Sequence, residues 1–449
     1  TEGSAPTVAV SPADVVLRAG YTTGPTPVVA FAVRNTGAAA GIQITASHNP
    51  ATDNGYKVYF DGGLQIVSPT DSEIETAMSI APPADAIARR PVAPAGDDLL
   101  ARYIGRAAAV RRARGRIRVA LTALHGVGGK VAVEVLRAAG FTDIHTVPSQ
   151  FDPDPDFPTV TFPNPEEPGA TDALLALAAR VDAGVAIALD PDADRCAVGI
   201  CGPDGWRMLT GNETGWLLGD YLLSQLPADR AAGAVVASSV VSSRMLAGIA
   251  HCYGARHVET LTGFKWLARA DMAPAGLPDT TLTYAYEEAI GYCVDPEAVR
   301  DKDGISAAVL VCDLAAALPD RGSSIPDALD ALARRHGVHV TDAVSRRVAS
   351  ASEAAAVMAR LRADPPHEVA GFAVTATDLL HRRGPVTDAL EFSGERDGTA
   401  IRVVVRPSGT EPKFKCYLEV TRPATEDLAD SRAVATRVCA MLADAVRAW

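Results

Sequence analysis

Through the first three-quarters of the chain, short apolar runs alternate with stretches of helical period. Arg116–Ala123 (RIRVALTA) reads as a strand, followed by a glycine turn at His125–Gly129 and a helix near Lys130–Ala139. Asp143–Val147 and Gly184–Leu189 read as further strands, with the helical TDALLALAAR between them. The theme repeats in Ala234–Ser238, Arg256–Glu259 and Thr281–Tyr286, separated by helices near Val241–Ala250 and Phe264–Asp271. Such alternation predicts mainly parallel sheets, with loops gathered at the carboxyl ends of the strands. From about Val338 the pattern changes. Strands at Gly371–Thr375, Ala389–Phe392, Thr399–Val405 and Phe414–Val420 follow closely, and an amphipathic helix runs from Thr425 to about Ala448. In the last strand Phe414, Cys416, Leu418 and Val420 alternate with Lys415, Tyr417 and Glu419, which predicts one buried face and one wet face.

Two segments mark seams: the proline-rich APPADAIARRPVAPAGDD before Leu99, and the helix opened by Ser-Ser-Ile-Pro within Gly322–Gly337. The expected fold class is α/β. Residues 1–98, 99–208 and 209–337 form three α/β domains with mixed or parallel sheets, and 338–449 an α+β domain. A length of 449 residues with 48% hydrophobic content suffices for several cores. The net charge of −12 argues against nonspecific nucleic-acid binding, and no run is long and apolar enough to span a bilayer. Seven scattered cysteines without a Cys-x-x-Cys predict a reduced, cytoplasmic protein lacking a structural zinc site. Oligomeric state is open.

Four loops carry candidate chemistry, three of them directly after a strand. TASHNP (45–50) follows the apolar run Gly41–Ile44, a place where open α/β sheets put ligand-handling groups. Asp190-Pro191-Asp192-Ala193-Asp194-Arg195 follows GVAIAL; three carboxylates at alternate positions can share a small volume only around a cation, and hard oxygen donors select Mg²⁺ or Ca²⁺. A solvated acidic turn is the bland alternative. Tyr286-Glu287-Glu288-Ala289-Ile290-Gly291-Tyr292, with Arg300-Asp301-Lys302-Asp303-Gly304 beyond it, offers glutamates to sugar hydroxyls and a lysine to a phosphate. Arg406-Pro407-Ser408-Gly409-Thr410-Glu411-Pro412 combines a guanidinium, two hydroxyls and exposed backbone, either a phosphate cradle or an ordinary hairpin turn.

These four loops, in this order, resemble the α-D-phosphohexomutases (phosphoglucomutases and phosphomannomutases), and the likeness spans essentially the whole chain. LHGVGG at Leu124–Gly129 and PDPDFPTVTFPNPEEPGA at Pro153–Ala170 are similar to the subgroup that also includes phosphopentomutases. The resemblance implies four domains around a central cleft: phosphoserine (1–98), metal-binding (99–208), sugar-binding (209–337) and phosphate-binding (338–449). It implies that Ser47 carries a phosphoryl group and, with Asp190, Asp192 and Asp194, binds Mg²⁺; Arg195 steadies the same charge. Lys57 takes an acid/base or charge-stabilising role, while His48 and Asn49 shape the loop and bond phosphate. Thr262 and Gly263 correspond to the loop that senses sugar orientation, Glu287 to the sugar-hydroxyl acceptor and Lys302 to a phosphate contact. Arg406, Ser408, Gly409 and Thr410 would hold the phosphate that is not reacting. Ala289 stands where many members have serine, which puts sugar preference in doubt.

The implied activity is interconversion of sugar 1-phosphate and 6-phosphate through a phosphoserine and a hexose bisphosphate, the latter also serving as activator. A phosphopentomutase, a leaky phosphatase, and a pseudoenzyme that only binds phosphosugars are the alternatives. An F-G-T-[AS]-G-[LI]-R-like segment, whose arginine faces the phosphoserine in the family, is not found before Gly24. The first domain is therefore expected to be incomplete, with exposed apolar surface and reduced activity. The chain begins without methionine, and whether it is a natural product or a fragment is open.

Overall fold

The computed structural model describes residues 23–83, 85–87, 98–272, 280–382, 386–407 and 413–449. Four units of mixed helix and sheet follow one another along the chain. In the first, the buried helix Thr26–Thr36 packs on a sheet of Gly41–Ile44, Tyr56–Phe60 and Leu64–Gln65. This sheet is antiparallel, not parallel as the alternation suggested. Its 45–55 connection contains no helix, and without a crossover the chain can only fold back on its neighbour. Ile42, Ile44 and Tyr56 stand exposed on one face of it.

The second unit orders its strands Ile144–Thr146, Val119–Thr122, Val185–Leu189, Cys196–Gly202 and Gly205–Met208. The first three are parallel and the last two antiparallel. Val119–Thr122 and Val185–Leu189 are buried at every position, as central strands covered on both faces must be. The third unit places Ala234–Ser239 between parallel strands Arg256–Thr260 and Thr281–Glu287, with Gly291–Cys293 antiparallel at the edge.

Gly304–Ala317 forms a helix that the periodicity did not predict. It is apolar on nearly every side and buried from Gly304 to Ala316, so it has no wet face to produce a 3.6-residue rhythm. Asp303 caps it, accepting from the amides of Ile305 and Ser306 at 3.0 Å each. The helix packs on Asp98–Ala108, Gly129–Ala138 and Val185–Leu189 of the second unit and on Gly211–Ser224 of the third, joining the two cores.

The fourth unit is an antiparallel sheet in the order Val338–Arg347, Lys413–Arg422, Thr399–Pro407, Leu390–Arg396, Thr375–Asp378. Phe414, Cys416, Leu418 and Val420 face a core shared with the helix Leu428–Arg447. The opposite face is not wet as expected. Glu419 is only 5% exposed, because this face lies against the turn at 240–243 of the third unit and is polar to bond it. Glu419 Oε1 accepts from Ser243 Oγ at 2.6 Å, His339 Nδ1 at 2.8 Å and the Arg244 amide at 3.0 Å. Burial alone would raise the Glu419 carboxyl, but the His339 and Ser243 bonds and the His339 and Arg402 charges hold it at about 2, below its ordinary 4.5. A depressed carboxylate adds stability that is complete above the unfolded value and drains away as pH falls toward the folded one, on the order of 3 kcal/mol here. Urea unfolding from about pH 6 to 3 should show a steeper acid limb for the native chain than for Glu419→Gln; parallel limbs would show that this charge does not hold the seam.

Candidate functional site

Ser47 sits in a tight turn, with φ of 52° and its amide donating to Thr45 Oγ1 at 2.8 Å. Thr45 in turn donates its amide to the Gly55 carbonyl at 2.9 Å, and a Cβ at Gly55 would meet the Thr45 carbonyl oxygen at 2.8 Å. The turn aims Ser47 Oγ at the aspartates: it donates toward Asp192 Oδ1 at 3.1 Å and Asp190 Oδ2 at 3.2 Å, with His48 Nδ1 also at 3.2 Å. Burial, then the Arg195 charge, pushes the His48 imidazole down to about 3, so it is neutral near pH 7.

The aspartate loop is buried, and one carboxylate oxygen of each of Asp190, Asp192 and Asp194 lies within 4.8 Å of the others. Lys57 Nζ donates to Asp192 Oδ2 at 2.7 Å and, more closely, to Asp194 Oδ2. Lys302 Nζ reaches the same Asp194 oxygen at 3.1 Å. Arg195 Nε stands 3.9 Å from both Asp190 and Asp194. Burial opposes the charge on each lysine and on Arg195, but the carboxylates outweigh it and hold all three protonated. Burial, then the charges of Asp192 and Asp194, push the Asp190 carboxyl well up, while Lys302 and Lys57 hold the Asp194 carboxyl down against its own burial. Asp194 Oδ1 is buried without a hydrogen-bond partner among the described residues. The donor set therefore fits a hard divalent cation.

Several supports of this cluster escaped sequence reading. Thr26, fully buried, donates its hydroxyl to Asp192 Oδ2 at 2.6 Å and its amide to the Asp192 carbonyl at 2.9 Å. Asp301 accepts from Tyr59 Oη at 2.8 Å and Gln65 Nε2 at 2.6 Å, tying the strand that carries Lys57 to the loop that carries Lys302. No local motif announces a lone threonine or tyrosine as a partner to residues far along the chain. The LHGVGG segment acts as a brace: Val127 donates its amide to the Pro191 carbonyl at 2.8 Å. A Cβ at Gly126 would meet the Pro191 Cα at 2.4 Å and its carbonyl oxygen at 2.5 Å. Gly126→Ala must therefore displace the aspartate loop, at about 1–3 kcal/mol of stability. Magnesium titration by thermal shift should show weakened binding; native affinity would mean the loop does not need this brace.

The remaining expected residues divide. Glu287 ends its strand buried opposite Gly291, where a Cβ would strike the Lys302 Cδ at 2.4 Å. Burial pushes its carboxyl up, against the Lys302 and Arg195 charges. A bridge between Arg195 and Gly291 locks the glutamate loop to the aspartate loop. Ala289 is half-buried on the same loop. Thr262 and Gly263 form the bend before the helix Phe264–Leu267, whose Phe264 ring lies 5.4 Å from Lys302 Nζ. Lys302 itself sits on the aspartates. Arg406 lies opposite Lys415 at the end of its strand and bonds Tyr417, whose hydroxyl also feels Glu287 and Glu288. The cradle strand thus reaches the glutamate loop. Among the described residues no hydrogen bond or ion pair joins Arg406 to the aspartates; Ser408, Gly409 and Thr410 lie outside the described residues.

Comparison with known proteins agrees with this geometry. The descriptions "Phosphoglucomutase/phosphomannomutase, alpha/beta/alpha domain I", "domain II" and "domain III" match residues 8–82, 101–200 and 210–336, and the C-terminal domain of that family matches 345–443. A Haemophilus influenzae protein named "Probable phosphomannomutase" is 40% identical over 409 residues, covering 88% of this chain and 80% of its own. The chain belongs to the phosphoglucomutase/phosphomannomutase family. A human "Phosphopentomutase" is 36% identical over 440 residues, covering 89% of this chain and 71% of its own, and a Staphylococcus aureus "Phosphoglucomutase" is 31% identical, with 90% and 76% covered. The phosphoglucomutase/phosphomannomutase family protein of Burkholderia thailandensis shares the fold at 21% identity with a TM-score of 0.65, covering 93% of this chain and 82% of its own. Family membership makes this chain a phosphosugar mutase by class, and no helix among its described residues is long and apolar enough to cross a membrane.

Proposed function

We propose that this chain interconverts hexose 1-phosphate and 6-phosphate by passing a phosphoryl group from Ser47 to the sugar and recovering the other phosphate from the resulting bisphosphate. One observation carries the reading: Ser47 Oγ lies within 3.2 Å of two carboxylates of a buried aspartate trio more than 140 residues away. Asp190, Asp192 and Asp194 would hold Mg²⁺ with the Ser47 phosphate, and the ion supplies charge neutralisation at the transferring group. Lys57, held as the ammonium, neutralises the equatorial oxygens from one side, and Arg195 from another. Neutral His48 bonds the serine oxygen and keeps the turn in place. Lys302 shares Asp194 with Lys57 and meets phosphate at that end.

In this reading Glu287 accepts a sugar hydroxyl, Thr262 and Gly263 sense the ring's orientation, and Arg406 with Ser408, Gly409 and Thr410 grips the distal phosphate. The units bear distinct tasks: phosphoserine (1–98), metal (99–208), sugar (209–337) and phosphate (338–449). A phosphopentose substrate is the second reading, favoured by the human relative's name and by Ala289, which offers the ring no hydroxyl. Incubation with glucose 1,6-bisphosphate labelled at phosphorus, followed by peptide mass analysis, should put label on Ser47. Hexose or pentose monophosphate should then chase it. No label on Ser47 would overturn the proposal; chase by pentose monophosphate alone would replace it with the second reading.

A further inference from the structure

The seam between the third and fourth units holds a residue that no motif marks. Arg402 and Arg406 lie on one strand, four positions apart, so their side chains leave the same face of the sheet. Arg402 is buried. Its Nε donates to Glu391 Oε2 at 2.8 Å, one terminal nitrogen to the Ser242 carbonyl at 3.3 Å, and the other to the Val240 carbonyl. Glu419 and Glu259 carboxylates stand 3.9 Å away. The turn it grips packs Val240 and Val241 with Val404, Leu379 and Ala389 in a small apolar cluster separate from the main cores. Ser242 then carries the connection onward. Its hydroxyl donates to Glu288 Oε2 at 3.1 Å and accepts the Glu288 amide at 3.1 Å, while Ser239 Oγ donates to the same Glu288 oxygen at 3.0 Å. Glu288 adjoins Glu287, the proposed sugar acceptor.

We propose that Arg402 is a positioning residue: through Ser242 and Glu288 it ties the strand of the phosphate cradle to the glutamate loop. It thereby sets the span between gripped phosphate and sugar acceptor, and with it the choice between hexose and pentose phosphates. The inference rests on the mutase reading above. A planar guanidinium bonding two carbonyls and a carboxylate fixes both distance and angle, which a single ammonium does not. Hexose and pentose bisphosphates differ in reach by about one carbon–carbon bond, and a misplacement of ~1 Å can cost about 10²-fold in rate.

The test uses the full chain with Arg402→Met, Arg402→Lys and Ser242→Ala, and two readouts. Amide hydrogen exchange is followed at 239–243 and 287–290, and kcat/KM is measured for glucose 1-phosphate and ribose 1-phosphate. Arg402→Met should speed exchange in both segments and shift the ratio of the two kcat/KM values at least about fivefold, mainly through kcat. Arg402→Lys should fold yet leave the ratio shifted, and Ser242→Ala should loosen 287–290. Unchanged exchange at 287–290 in Arg402→Met would overturn the tie whether or not the native chain is active. Faster exchange with an unchanged substrate ratio would overturn the selection. Loosening of 287–290 in a chain that labels no serine would uphold the tie while the mutase reading alone fell.

Discussion

Ser47→Ala is expected to abolish turnover, by ~10⁴-fold or more, because it removes the atom proposed to carry the phosphoryl group rather than one of its stabilisers. The change should spare the fold. Ser47 Oγ bonds Asp190, Asp192 and His48, but its backbone turn is held independently by the Thr45 hydroxyl and by the Ala46 carbonyl, which accepts from Asn49. The measurement is mutase rate together with serine phosphorylation after incubation with hexose bisphosphate. A Ser47→Ala protein that still turned over at more than a few per cent of the native rate would mean that phosphate moves without a covalent intermediate on this residue.

Asp194→Asn should be the most damaging change that leaves Ser47 intact. Asp194 accepts from both Lys57 and Lys302 on one oxygen, and its other oxygen is buried without a hydrogen-bond partner among the described residues. A neutral amide would leave two buried ammoniums sharing less negative charge. Breaking a buried pair this way costs about 3–5 kcal/mol. It would also withdraw a proposed metal ligand, so magnesium should no longer raise the melting temperature. The catalytic rate should fall by about 10²–10³-fold, the typical effect of removing one preorganised electrostatic group. Chemical unfolding separates the stability loss from the metal effect, and unchanged magnesium stabilisation in the variant would remove Asp194 from the proposed ligand set.

How much of the site could be read beforehand depended on whether its chemistry was local. The aspartate trio is local: three carboxylates within five residues after an apolar strand carry their own electrostatic problem, so the sequence already points to a cation there, with a solvated acidic turn as the alternative. Lys302 is half local. Its loop was singled out, but as a phosphate contact; the fold brings it onto Asp194 because Asp303 and Gly304 open a helix that packs against the unit carrying the aspartates. Thr26 and Tyr59 were invisible, since each bonds a residue 166 or 242 positions away. The face of Tyr417 and Glu419 misled for a related reason. Alternation distinguishes polar from apolar, and a polar face bonded to another unit has the same pattern as one bonded to water.

By itself the sequence determined which groups are present and in what order: a serine turn, a carboxylate trio, a glutamate loop and an arginine turn, each placed by strand ends and glycines that local sterics enforce. Only the tertiary structure decided which of them meet. It put two lysines on one aspartate oxygen, drew a serine to carboxylates more than 140 residues off, and turned an apparently solvated strand face into an interdomain seam. The division has a physical cause. Turn geometry and strand periodicity act over a few residues, whereas burying charge requires partners supplied from wherever the chain's cores bring them together.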